Sequence, residues 1–104
     1  MHLLDECGVW LQTHIDGDNA ARFLALVQNW KEKLVPAVMP DVNPSHWLVE
    51  FWLSQMAMAG IQVTPQQRNH AFNVMNEKGM EGFMRTFKTL IEEHNLPRIP
   101  KING

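Results

Sequence analysis

The sequence of 104 residues contains no tyrosine and only one cysteine, Cys7. A single cysteine excludes an internal disulfide and a zinc site built from several cysteines. It also favours a reducing, cytoplasmic location. Neither sign of charge dominates, because the net charge is only −2. The chain therefore has no general attraction for nucleic acid or for an anionic membrane.

Long hydrophobic runs are missing as well. The most apolar stretch, residues 44–59, is interrupted by Glu50, Ser54 and Gln55. Its uninterrupted runs are far shorter than the ~20 residues that cross a bilayer. Residues 1–6 carry acids where a signal peptide carries bases. These absences predict a chain with no membrane partner and no secretion signal.

The pattern that is present is helical. No stretch alternates with the period of two that a strand requires, whereas apolar residues recur with the period of a helix. We predict an all-α fold, a compact bundle of about five helices that forms one domain over residues 1–104. Residues 1–95 form the bundle and residues 96–104 an extended tail. The predicted helices cover residues 3–15, 20–35, 44–59, 64–78 and 80–94.

Local capping chemistry predicts several helix ends. Asn43 before Pro44 is a favoured start, and Gly60 is a favoured stop. Thr64 followed by Pro65 and, at the third helical position, Gln67 forms a capping box. Gly79 separates the two predicted helices that follow.

The central helix, residues 44–59, is rich in tryptophan. Its apolar side chains cover an arc of roughly 240°, and such a helix is surrounded by its own protein or by a partner. The chain also has four tryptophans and seven methionines, which suit adaptable contact surfaces. We therefore predict a non-enzymatic protein–protein interaction module, an adaptor, inhibitor or regulator of a bacterial or phage-like kind. It would bind a protein partner or form a homodimer through Trp47, Phe51, Trp52, Met56, Pro97, Arg98, Ile99 and Pro100.

A short segment, residues 52–75, slightly resembles a helical segment of the phage lambda-type replication P proteins, which load a helicase. We carry no functional residue over from this resemblance. The residues that carry it are Trp52-Leu53, Gly60-Ile61, Thr64, Gln67 and Ala71.

One alternative is a nucleic-acid-binding protein of the helix-turn-helix kind, with residues 64–78 as the reading helix and a basic tail. Amide and imidazole side chains suit base edges. This helix offers few bases to neutralise phosphates, which makes nucleic acid the weaker partner. The candidate contacts are Gln66, Gln67, His70, Arg85, Lys88, Arg98 and Lys101.

A second alternative is a small-ligand protein with a pocket beside residues 44–59. His46, Glu50 and Ser54 follow each other at helical spacing along one polar side, and Trp47 and Trp52 flank them. We predict that His46, Glu50, Trp47 and Trp52 line that pocket. A catalytic triad needs histidine between the other two groups, and here Glu50 lies between them.

Neither a catalytic residue nor a metal or cofactor site is predicted. His46 and Glu50 offer two metal ligands without a third. Cys7 lies on an apolar face beside Asp5 and Glu6, which indicates an inert, buried thiol. His14 lies about 10 Å further along that helix, too far to share a metal ion with Cys7.

Overall fold

Every regular element of the computed structural model, which describes residues 2–33 and 43–98, is an α-helix. Within those ranges the chain forms four helices and no strand. They pack into a compact globule about 30 Å across. The helices are α1 (His2–His14), α2 (Asn19–Lys33), α3 (Pro44–Met58) and α4 (Pro65–His94).

The helix ends follow the capping chemistry of the sequence. The Asn43 side chain accepts a hydrogen bond from Ser45 N at 2.9 Å and begins α3. Gly60 has φ +84° just after α3, the left-handed conformation that glycine adopts without steric cost. Thr64 and Gln67 exchange both bonds of the capping box at the start of α4. These predicted starts and stops are confirmed.

The predicted count of five helices is replaced by four in the described residues. The two predicted helices at residues 64–78 and 80–94 form one element, α4, in which Gly79 alone leaves the helical conformation with φ 75° and ψ −172°. The helix resumes at once after Gly79, so no linker separates its two segments. Gly79 therefore acts as a local break within α4.

The core is built from apolar side chains of all four helices. Helix α3 contributes to it with most of its circumference, since even the amide side chain of Gln55 is buried. The Trp52 ring stacks on the ring of Phe23 from α2, with centroids 5.9 Å apart. The largest fully buried apolar side chains are Trp52, Phe23, Phe83, Leu4, Leu11, Leu48, Met56, Met84, Ile91, Leu96 and Val49.

The segment after α4 is fastened to the bundle by side chains from two other helices. Asn19, a buried residue at the start of α2, donates to the carbonyl of Leu96. Arg22 Nε donates to the carbonyl of Pro97 at 2.7 Å, and Gln55 Oε1 accepts from Arg98 N at 2.9 Å. Leu96 itself is fully buried. We call this set of contacts the C-terminal clasp.

Some predictions lie outside the described residues. These are the last two positions of the predicted second helix, residues 34–35, and the tail from residue 99 onward. Among the helices of residues 2–33 and 43–98, none has the length and apolar character needed to cross a membrane.

Candidate functional site

Two grooves meet at the non-helical segment that joins α3 to α4. The first, which we call the apolar groove, has a volume of about 410 Å³. It lies between α3, this segment and both halves of α4. Its apolar lining is Leu53, Met56, Ile61, Val63, Phe87 and Leu90, and its polar lining is Gln62, Gln66, Gln67, His70 and Thr86.

No aspartate, glutamate, lysine or arginine is among the described residues that line the apolar groove. Its floor is the buried pair Leu53 and Met56, whereas Phe87 and Leu90 are half-buried walls. Groups that can donate or accept hydrogen bonds, mainly glutamine amides, accompany this apolar surface. The composition suits an uncharged apolar ligand held by a few polar contacts.

The second groove, which we call the polar groove, has a volume of about 480 Å³ and lies on the other side of residues 61–63. It shares Leu53, Ile61, Gln62 and Val63 with the apolar groove. It also has hydrophilic and charged lining residues, namely Glu50, Ser54 and Arg68. The segment 61–63 is therefore the ridge between two grooves of different character.

Two backbone N–H groups of the ridge have no hydrogen-bond partner among the residues that the structure describes. Ile61 N donates to the Met56 carbonyl at 2.9 Å, and Thr64 N donates to Gln67 Oε1 at 2.9 Å. Between them, the backbone N–H groups of Gln62 and Val63 have no acceptor within residues 2–33 and 43–98. Gln62 is exposed and Val63 half-buried at the point where the grooves meet.

A surface cluster borders the polar groove. The Glu50 carboxylate accepts two hydrogen bonds from the Arg68 guanidinium and lies 3.8 Å from His46 Nε2. The hydrogen bond that the Arg68 side chain donates to Glu50 raises the pKa of Arg68. The Phe72 ring lies 4.6 Å from the His46 ring and 5.2 Å from the Arg68 guanidinium. This packing fixes α3 against the first half of α4.

Of the four predicted pocket residues, Glu50 lines one of the two grooves, and the other three line neither of them. Trp52 is fully buried and Trp47 nearly so, and both belong to the core. His46 is exposed on Phe72. Glu50 alone lines a groove, the polar one. Both grooves lie beside residues 44–59, and most of their lining side chains are not among the four predicted ones.

The predicted protein-interface residues are also dispersed. Trp47 and Trp52 are covered by the chain itself, and Phe51 is half-buried against their rings. Met56 lies at the floor of the apolar groove. Pro97 is buried in the C-terminal clasp. Arg98 is exposed, and Ile99 and Pro100 lie outside the described residues.

The predicted nucleic-acid contacts divide into two groups. Gln66, Gln67 and His70 line the apolar groove, so they lie together, but beside apolar walls. The cations are engaged within the protein: Arg85 pairs with Glu81 at 2.7 Å, Lys88 pairs with Glu92 at 3.8 Å, and Arg98 Nε donates to the His94 carbonyl. Lys101 lies outside the described residues.

Sequence reasoning missed Leu53, Ile61, Val63, Phe87 and Leu90 as site residues. A partial signal was available in Ile61 and Val63, two β-branched apolar residues in a short linker between helices. Phe87 and Leu90 follow the helical stripe of a core face. Only the fold reveals that part of this face remains uncovered.

The Cys7 thiol lies in the core with its side chain fully buried. Its Sγ lies 3.8 Å from Met84 Sδ. Burial raises the pKa of the Cys7 thiol to about 12, and the neighbouring Trp52 side chain only partly offsets this effect. In the part of the chain that the structure describes, no three His, Cys, Asp or Glu side chains converge to hold a metal ion.

Comparison with known proteins identifies no relative of this chain. The chain matches no protein-family model, no curated protein sequence and no solved structure at a significant level.

Proposed function

We propose that this chain is a non-enzymatic protein-interaction module that binds a segment of a partner protein in the apolar groove. The observation that supports the proposal is the groove itself, an open apolar surface at which none of the described lining residues carries a charged side chain. Its six apolar side chains are accompanied by amides that can orient a bound chain. Exposed apolar surface with polar groups around it is typical of contact sites between proteins.

The proposed contact surface does not include the tryptophans of α3. Trp47 and Trp52 are buried in the core, and Met56 is the one predicted interface residue within residues 2–33 and 43–98 that also lines the apolar groove. The partner therefore docks at the second half of α3, against the linker and both halves of α4. An adaptor, inhibitor or regulator in a reducing, cytoplasmic setting fits this arrangement.

A second candidate function is the binding of a small apolar molecule in the same groove. Its volume of about 410 Å³ favours this candidate, because it lies within the range of ligand pockets. The two candidates differ in length of ligand, since a peptide extends beyond the groove and a small molecule does not.

Selection of linear peptides from a random phage-displayed library tests the proposal. We expect enriched peptides to bind the wild type and the variant Leu24→Glu, because Leu24 is an exposed apolar residue outside the groove. The same peptides lose at least about tenfold in affinity for Leu90→Glu, which places an uncompensated charge in the groove wall. Both variants are first compared with the wild type by circular dichroism and thermal unfolding.

Two results would count against the proposal. One is a selection that enriches no sequence on the wild type, and the other is equal binding to Leu24→Glu and Leu90→Glu. Nile red, an uncharged apolar dye, is the probe for the second candidate. Binding of the dye that Leu90→Glu abolishes, without any enriched peptide, supports the small-ligand function.

A further inference from the structure

The break in α4 depends on two glycines that a straight helix would not need. Gly79 has φ 75° and ψ −172°, a conformation that essentially only glycine adopts. Gly82 lies against the preceding segment of the helix, because a methyl group placed on it would overlap Lys78 Cβ. In a regular helix the Cβ atoms of residues four apart are about 5–6 Å from each other, so the overlap comes from the bend itself. The bent form of α4 therefore requires glycine at both positions.

A straight form of α4 differs from the bent one at a single hinge. Helix lies on both sides of Gly79, and no proline occurs between Pro65 and His94. Rotation of Gly79 into the helical conformation would join the two segments into one helix of 30 residues, about 45 Å long. That helix would be longer than the globule, which is about 30 Å across. Straightening would therefore carry residues 80–98 away from the bundle of their own chain.

The segment 80–98 cannot leave the bundle without a replacement. Phe83, Met84 and Ile91 are fully buried, and Met84 Sδ lies 3.8 Å from Cys7 Sγ in α1. Exposure of several such side chains to water is strongly unfavourable. A second copy of the chain that straightens in the same way releases an identical segment, and this segment has the shape and chemistry that the vacated site requires.

We propose that two copies of this chain exchange residues 80–98 and form a dimer in which each α4 is a continuous helix. The described contacts of the exchanged segment are then made with the partner copy, and only the bend is lost. The inference is independent of the proposed peptide binding. It has one consequence for the apolar groove, because each groove of the dimer would combine the first segment of α4 from one copy with the second segment from the other.

The first test compares the variants Gly79→Ala and Gly82→Ala with the control Asn76→Ala, at an exposed position of the same helix. Alanine at residue 79 or 82 disfavours the bend and favours regular helix. Each dimer contains two straightened hinges, so the effect counts twice. We expect each glycine variant to dimerise with a dissociation constant at least about tenfold lower than that of Asn76→Ala, measured by sedimentation equilibrium.

The second test distinguishes exchange from association of two intact surfaces. Labelled (¹³C) and unlabelled copies of the Gly79→Ala protein are unfolded, mixed and refolded together. Isotope-filtered NMR then detects contacts between copies alone. In the exchanged dimer, Cys7 of one copy contacts Met84 of the other, whereas a surface dimer keeps this contact within each copy.

The outcomes decide the question in either direction. A dimer with Cys7–Met84 contacts between copies supports the exchange. Two glycine variants that fold and remain monomeric at every concentration overturn it, and so does a dimer whose Cys7–Met84 contacts lie within each copy. If neither variant folds, the wild type refolded at high concentration is measured in the same way. Contacts between copies then support the exchange, and their absence overturns it.

Discussion

Two parts of α3, residues 44–52 and residues 53–58, have the same apolar character but different surroundings. In the first part, Trp47 is buried and Trp52 stacks on Phe23 from α2. In the second part, Leu53 and Met56 are buried as well, but they form the floor of an open groove. The difference shows that the number of large apolar side chains does not mark a contact surface. What matters is whether the surface beside them is closed by another element or open as a groove.

The largest expected effect distinguishes the closed core around Trp52 from the wall of the apolar groove. Trp52→Ala is expected to lower the free energy of unfolding by about 3–5 kcal/mol, because it leaves a large cavity in the core. Leu90→Ala, in the half-buried groove wall, is expected to cost only about 1–2 kcal/mol. Urea denaturation measures both values.

Equal costs for the two variants would contradict the comparison, since they would place Leu90 in the closed core. If Trp52→Ala does not fold, Trp52→Phe replaces it. That variant keeps a ring against Phe23 and is expected to cost more than Leu90→Ala all the same, because Trp52 is fully buried.

The C-terminal clasp provides the next test. Asn19→Ala is expected to lower the free energy of unfolding by about 1–3 kcal/mol, because the buried carbonyl of Leu96 loses its donor. Asn29→Ala, at an exposed position of the same helix, is the matched control and is expected to have almost no effect. Thermal or urea unfolding measures the stability of both variants. An equal effect of the two variants would show that the clasp does not stabilise the fold.

The break in α4 sets the angle between the two halves of that helix, both of which line the apolar groove. Gly79→Ala is expected to cost about 1–3 kcal/mol, because φ 75° with ψ −172° is a conformation that essentially only glycine adopts. The control Asn76→Ala lies at an exposed helical position and is expected to change little. A stabilised Gly79→Ala protein, measured by urea denaturation, would mean that α4 passes residue 79 without a break.

The smallest expected effect at neutral pH concerns Cys7, whose side chain is buried in the core. Its folded-state pKa of about 12 lies above the ordinary value of 9.0, so the fold favours the neutral thiol. This contribution is fully present below pH 9 and is lost as the pH rises towards about 12. We expect the Cys7→Ala variant to lack this alkaline component in urea denaturation curves.

The wild-type thiol is expected to react with Ellman's reagent only after unfolding in guanidinium chloride, and rapid reaction of the native protein would contradict its burial.

Local structure could be predicted from the sequence where neighbouring residues determine it. The caps at Asn43 and Thr64 and the stop at Gly60 depend only on side chains a few positions away. The break at Gly79 was also predicted, with helix on both sides of it, but a single residue does not reveal that the two segments form one kinked element. That outcome depends on packing of both segments against the rest of the bundle.

The candidate site could be predicted only in part. Gln66, Gln67 and His70 were singled out for their exposed polar side chains, and they do lie together. The apolar walls were missed because the groove depends on where Phe87 and Leu90 lie relative to Leu53, and these residues are distant in sequence. Similarly, a helical wheel shows that Trp52 must be covered, but not by which chain.

The central claim is that α3 contributes the floor of a binding groove through Leu53 and Met56. Amide chemical shifts of the ¹⁵N-labelled protein, recorded as the selected peptide is added, test this claim most directly. We predict changes concentrated at Leu53, Gln62, Val63, His70 and Leu90, with little change around Phe23 and Trp47. Changes concentrated at the α1 and α2 surface, with those groove residues unaffected, would contradict the claim.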